Sequence, residues 1–298
     1  MKKLIFILTI ILMLLCSCFD SGSHPCKTGI RLQLSYAERS GENFIAIEDI
    51  NQLDIFVYDK EGIYLQRIDL SSMKQVDGYI LTFDIPTGEY NFTLWIGAKD
   101  EYYTISGIEP GVSTVDDGRL MLKRTADGVV PEPPSQLRYN RRNGVIVPEE
   151  GESLIQVPMQ RYTSNIRVLM RGLPDDEAGY SFTITDNNGI TRMSDLAIMS
   201  DEEITYLARP TSLTRAETLA GIFTVMRLAE GRHPMLNLYD GTVLRNSWDL
   251  IDEILMKYPE AGFSHGNDYE IIFTFNGDGY VAFSITVNGW EIAEEGID

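Results

Sequence analysis

Three cysteines, three histidines and three tryptophans are spread over 298 residues. So few thiols and imidazoles leave little material for a metal cluster, or for a nucleophile held beside a base. Positive charge is also short: 25 Lys and Arg stand against 44 Asp and Glu, a formal net charge of −19. Binding a phosphate backbone needs clustered Lys and Arg, so nucleic acid is not expected as a partner. No apolar run reaches the roughly 20 residues that a membrane-spanning helix requires. Gly-x-Ser-x-Gly, phosphate-loop and dinucleotide fingerprints are missing. His24, His233 and His265 have no Cys or His at ligand spacing. The Asp/Asn/Gly clusters at 186–189 and 276–279 lack the alternating ligands of a calcium loop and read as turns. No metal, cofactor, small-molecule substrate or enzymatic activity is therefore expected. What is present, 44% hydrophobic and 10% aromatic residues, suffices for packed cores. At roughly 150 residues per domain, the length suggests two of them.

The N-terminus carries the most specific signal. Lys2 and Lys3 precede residues 4–15, in which only Thr9 is polar. A basic stretch followed by an apolar stretch of this length reads as a secretory signal. Leu15-Cys16-Ser17-Cys18 then matches the end of a bacterial lipoprotein signal: an aliphatic residue at −3, a small one at −1, then cysteine. Cleavage between Ser17 and Cys18 is expected, with Cys18 lipidated. Residues 1–17 leave as the signal peptide, and residues 18–28 form a polar, Gly/Ser-containing tether. Loss of Lys2 and Lys3 takes the net charge from −19 to −21, so the surface itself repels anionic lipid. Membrane attachment is thus expected through covalent lipid, with Cys26 the only remaining thiol.

Beyond the tether the patterning is that of strands. Ile30, Leu32, Leu34 and Tyr36 alternate with polar residues. Residues 53–58 and 63–65 flank the turn Asp59-Lys60-Glu61-Gly62, and residues 79–83 and 90–96 flank Pro86-Thr87-Gly88. Residues 138–142 with Asn143-Gly144 read as a loop or hairpin tip. Strands are predicted again over 165–170, 180–184, 219–228, 269–275 and 280–287. Thr214-Arg215-Ala216-Glu217 matches a helix capping box, but Gly221 and Phe223-Thr224-Val225 favour strand. One helix is predicted over residues 248–258, capped by Ser247 and stopped by Pro259. The expected fold class is all-β, as β-sandwiches with one short helix in the second. The expected division is 29–157 and 158–298.

Taken in order, these segments resemble the lipoprotein anchor subunits of type V pili, the FimB-like minor fimbrial subunits. Cys18 and a second cysteine precede strand 29–36. Residues 50–59 are followed by Gly62, and Gly88-Glu89-Tyr90 leads to Trp95-Ile96-Gly97. Ser164-Asn165-Ile166-Arg167-Val168, Asp186-Asn187-Asn188-Gly189 and Tyr269-Glu270-Ile271 follow, ending in Val287-Asn288-Gly289-Trp290.

The resemblance implies two transthyretin-like β-sandwich domains and a fimbrial stalk subunit as partner. It also implies attachment of a fimbria to the outer membrane, its termination and a limit on its length. Such pilins assemble when a strand of one subunit completes the sandwich of another. Stalk subunits first lose their own first strand to an Arg-specific protease, and an anchor is expected to keep it. Here the retained strand would be Ile30, Leu32, Leu34 and Tyr36, with Arg39 behind it as a possible protease site. Tyr280, Phe283, Ile285 and Val287 would form a possible donor strand, or else an ordinary sandwich strand. Two alternatives stay open. One is a lipid-anchored glycan-binding module using an exposed Trp among Trp95, Trp248 and Trp290. The other is an adhesin for a host protein.

Overall fold

The computed structural model describes residues 28–38, 43–171, 180–199, 202–210, 218–276 and 279–287. The expected signal peptide, Cys18, Cys26, Arg39, the capping box at 214–217 and Trp290 lie outside them. The fold is all-β, with one α-helix among the described residues. No helix among them is long and apolar enough to cross a membrane.

The largest sheet has eight strands in the order β3 (Tyr64–Asp69), β2 (Leu53–Asp59), β6 (Gly88–Ile96), β10 (Arg138–Val147), β11 (Glu152–Arg161), β1 (Gly29–Tyr36), β5 (Ile80–Asp84) and β4 (Lys74–Gln75). β10 and β11 share only two residue pairs, Arg138–Arg161 and Tyr139–Gln160. The sheet folds over at this seam. Its wings face each other across a core that includes Ile30, Leu32 and Leu34 of β1, Ile55 and Val57 of β2, and Phe92 and Leu94 of β6. Phe83 of β5 meets Phe92 edge-on at 6.1 Å across that core.

β2 is buried at six consecutive positions, 53–58, because both of its faces are covered. Leu53, Ile55 and Val57 face the sandwich core, while Phe56 and Tyr58 belong to a second core shared with the C-terminal half. β6 behaves alike, with Trp95 in the second core. Burying a sheet on both faces is what produces a continuous run of buried positions in place of alternation, and the buried charged residue in β2, Asp54, is paired with Arg67.

The chain between β6 and β10 crosses into the C-terminal half. β7 (Tyr103–Ser106) and β8 (Arg119–Leu122) join β14 (Ile190–Arg192) and β15 (Ile198–Met199) in one four-stranded sheet. β9 (Val129–Val130) pairs in parallel with β16 (Ile204–Leu207), at the edge of a sheet that continues through β13 (Tyr180–Asp186), β19 (Met235–Asp240) and β20 (Val243–Asp249). The last sheet is β17 (Arg209–Pro210), β18 (Thr218–Met226), β12 (Thr163–Arg171), β21 (Asp268–Asn276) and β22 (Gly279–Val287).

Position 158 falls inside β11, opposite Ser35, and the chain changes sheets at Tyr162, the single residue between β11 and β12. Two expectations shift. Residues 138–142 are strand, not a hairpin tip. β10 pairs along β6, and Asn143-Gly144 forms a bulge where the register slips between Arg142 and Val145. The helix α1 is Leu250–Lys257, capped by Asp249 and not Ser247. The Asp249 carboxylate accepts from the Ile251 and Asp252 N–H groups, whereas Ser247 donates to Asn237. Trp248 stays in β20, opposite Leu236 and packed on Phe273 at 4.5 Å.

Candidate functional site

The first strand lies in a slot with a partner on each side. Toward β11 it runs in parallel along its whole length, from Gly29–Glu152 to Tyr36–Met159. Toward β5 it is antiparallel from Gly29–Asp84 to Gln33–Ile80. Where β5 ends, the returning chain takes over. Ser35 bridges Phe44, the Tyr36 N–H donates to the Asn43 carbonyl at 3.0 Å, and the Ile45 N–H donates to the Leu34 carbonyl at 2.8 Å. The ladder is thus occupied on both edges of β1, as buried backbone groups require.

The side chains follow the strand's period of two. Ile30, Leu32 and Leu34 are 0%, 0% and 2% exposed, and Tyr36 is half-buried. Each buried aliphatic side chain stabilises the seated strand by about 1.5–3 kcal/mol. At Gly29 the slot leaves no room for a side chain, since a Cβ there would meet the Phe83 carbonyl oxygen at 2.7 Å. At the other end Arg138 stacks on Tyr36 and pairs with Glu38.

β22 is seated as well. It pairs antiparallel with β21 from Tyr269–Val287 to Asn276–Gly279, and it closes its sheet at one end. Ile285 is buried, Val287 packs against the core, and the Tyr258 hydroxyl donates to the Ile285 carbonyl at 2.6 Å. Tyr280 and Phe283 lie within β22 as backbone positions.

The junction between the halves holds polar groups that sequence reasoning missed. Trp95 sits between Tyr139 and Tyr162, with ring centres 4.7 and 5.5 Å away. The Tyr139 hydroxyl donates to the Met193 carbonyl at 3.1 Å, and Tyr162 and Thr191 share a hydroxyl hydrogen bond of 2.6 Å. Burial pushes the Tyr139 phenol up to about 12, so it stays a neutral donor at ordinary pH. No spacing in the sequence announces such contacts, because each joins residues far apart in the chain.

Trp95 is fully buried and Trp248 half-buried, so neither offers an exposed platform for a sugar ring. The fold also brings His233, Asp249 and Asp252 together, with ligand-type atoms within 4.8 Å of one another. Asp249 is already used: one oxygen caps α1 and the other lies 2.6 Å from His233 Nδ1. This pair holds the His233 imidazole above its ordinary range. The group reads as a polar network at a helix start.

A filled first-strand slot and two cores sharing one sheet define an all-β subunit built of packed sheets. The sequence model of the fimbrillin-A associated anchor proteins Mfa1 and Mfa2 matches residues 23–296, and the chain belongs to that family. No curated protein sequence matches it. Among solved structures, a candidate polysaccharide-binding protein of Bacteroides thetaiotaomicron superposes with a TM-score of 0.73 at 23% identity, covering 90% of this chain and 98% of the other. The fimbrial anchor protein Mfa2 of Porphyromonas gingivalis gives 0.68 at 19% identity, covering 88% and 97%. A candidate adhesin of Bacteroides ovatus gives 0.68 at 16% identity, covering 88% and 94%. These similarities establish a common fold.

Proposed function

We propose that this protein is an outer-membrane lipoprotein that anchors a fimbria at the cell surface and ends its polymerisation, limiting its length. Membership of the anchor family supports the role. The observation that carries the termination step is the occupied slot of β1. Its ladder is satisfied on both edges and its aliphatic row is buried. A subunit whose own strand fills the slot has no groove to accept a strand from another, so growth stops there. The tether from Cys18 leads directly into that strand, which puts the lipid at the terminating end. The stalk subunit is the partner, reached through β22, either by donating the strand around Tyr280, Phe283, Ile285 and Val287 or by pairing at its edge. The role is structural and not enzymatic, and two transthyretin-like sandwiches carry it.

The test is Cys18→Ala in the producing cell. The variant should leave the membrane fraction, and electron microscopy of cells should show long or shed fimbriae. A variant that stays membrane-bound, with an unchanged cell surface, would overturn the anchor reading.

A further inference from the structure

We infer that the parallel pair β1–β11 is a mechanical clamp, stressed in shear when the N-terminal tether and the C-terminal half are pulled apart. The source of such a load rests on the anchoring reading above; the mechanical property rests on the topology alone.

The tether reaches β1 at Gly29, opposite Glu152 at the start of β11. β1 ends at Tyr36, opposite Met159, and β11 passes through Tyr162 into β12 of the C-terminal half. Seven residue steps along a strand separate those two ends of β1 by about 23 Å. Pull from the tether and reaction from the C-terminal half therefore act at opposite ends of the same two strands. Strands pulled from opposite ends share the load over all their hydrogen bonds at once. Strands pulled apart from one end lose them one after another.

Two further features make the clamp stiff. Ile30, Leu32 and Leu34 leave the core together when β1 slides, so their burial resists in the same step. The reaction reaches β11 through a junction that does not bend easily. β8 pairs with β14, β9 pairs with β16, and Tyr139 and Tyr162 hydrogen-bond across to Met193 and Thr191. On the far side β1 is bracketed by β5 and by the returning chain at Asn43 and Ile45, so it does not simply peel outward.

Single-molecule force spectroscopy on the mature chain tests this. One handle takes the place of the lipid on the Cys18 thiol, in a Cys26→Ser background. The second is on Met256→Cys, an exposed position of α1 in the C-terminal half, or on Glu150→Cys, an exposed position beside the tethered end of β1. The Met256 handle should give a rupture force several-fold above that of the Glu150 handle. The length released at rupture should match freeing of β1 and the chain up to Ile45. Equal forces from the two handles, or first rupture within the C-terminal half, would overturn the clamp. No membrane or fimbria takes part in this measurement. Its failure leaves the anchoring role untouched, and retention of Cys18→Ala in the membrane leaves the clamp untouched.

Discussion

The Arg138 guanidinium lies 4.5 Å from the centre of the Tyr36 ring, while its Nη1 is 2.7 Å from the Glu38 carboxylate. One side chain of β10 thus pins the end of the first strand and the turn after it, immediately before Arg39. Cation–π stacking and a partly exposed ion pair contribute about 1 kcal/mol together. Arg138→Ala should therefore let this end of β1 open more often. Where cutting follows local opening, that energy corresponds to about fivefold faster cleavage. Limited trypsin digestion followed by mass spectrometry should show a product starting at Ser40 accumulating sooner in the variant. An unchanged rate would mean that Arg138 does not guard the segment. A natural N-terminus at Ser40 on the cell-surface protein would rule out a covalently retained strand.

Leu32 is the centre of the buried row, with Leu81 of β5 and Ile155 of β11 as its register partners. Leu32→Ala removes buried methyl groups and leaves a cavity, which costs about 2–5 kcal/mol. The neighbouring Gln33 meets Gln156 on the outer face of the sheet, and Gln33→Ala should stay within about 0.5 kcal/mol. Chemical denaturation followed by tryptophan fluorescence compares the two midpoints. Equal midpoints would show that β1 is not an integral part of the cooperative fold.

Much of this slot is legible in the sequence. Alternation over 29–36 marked a half-buried strand, and the strand has that span. Two pieces of the fold were hidden, for physical reasons. The parallel partner of β1 lies more than 100 residues away, and period-two alternation says which face is buried without saying which strand lies beside it. Residues 53–58 read as a strand, but Asp54 within them hides that both faces are buried, and nothing in the run says that the second face belongs to the C-terminal half. At the helix start, Ser247 and Asp249 are both good caps by residue type. The choice follows from where β20 ends: Ser247 pairs with Asn237 inside the ladder, while Asp249, opposite Met235, is its last residue and stands directly before the helix. Residues 138–142 looked like a loop because four of the five are Arg or Asn. In the sheet, Asn140 and Arg141 bond the Pro158 and Ser194 carbonyls, so polar side chains serve a strand between two halves.

Gly97 ends the Trp95-Ile96-Gly97 run with φ of +83°, and a Cβ there would lie 2.0 Å from the Gln136 carbonyl oxygen. The Ser135 hydroxyl donates to the Gly97 carbonyl, and Tyr103 donates to Ser135 from the crossing segment. Any side chain at 97 must push this segment off the second core. Gly97→Ala should cost about 3 kcal/mol or more, from the left-handed backbone plus the displaced packing. Gly62 has a similar φ of +88° but open space around it. Gly62→Ala should therefore lose only about 1–2 kcal/mol, the backbone contribution alone. Equal losses at the two positions would show that the close approach at Gln136 is unimportant.

Asp268 opens β21 and joins it to the end of β11, 2.6 Å from Arg161 Nη2. The Arg161 hydrogen bond, with help from its charge and from Asn165, holds the carboxyl below its ordinary 3.8. A carboxyl whose folded pKa is depressed contributes stability that is present above the unfolded value. That contribution disappears as pH falls through the folded value, because the unfolded chain takes up the proton first. The side chain is 56% exposed, so solvent screens the pair and the contribution is small. Asp268→Asn keeps the shape and removes the charge. Wild type should exceed the variant in thermal midpoint above the ordinary 3.8, and the two should converge as pH falls below the depressed folded value. A gap that stays constant across that range would place the acid sensitivity of the junction elsewhere. A gap that widens on acidification would contradict the depressed pKa itself.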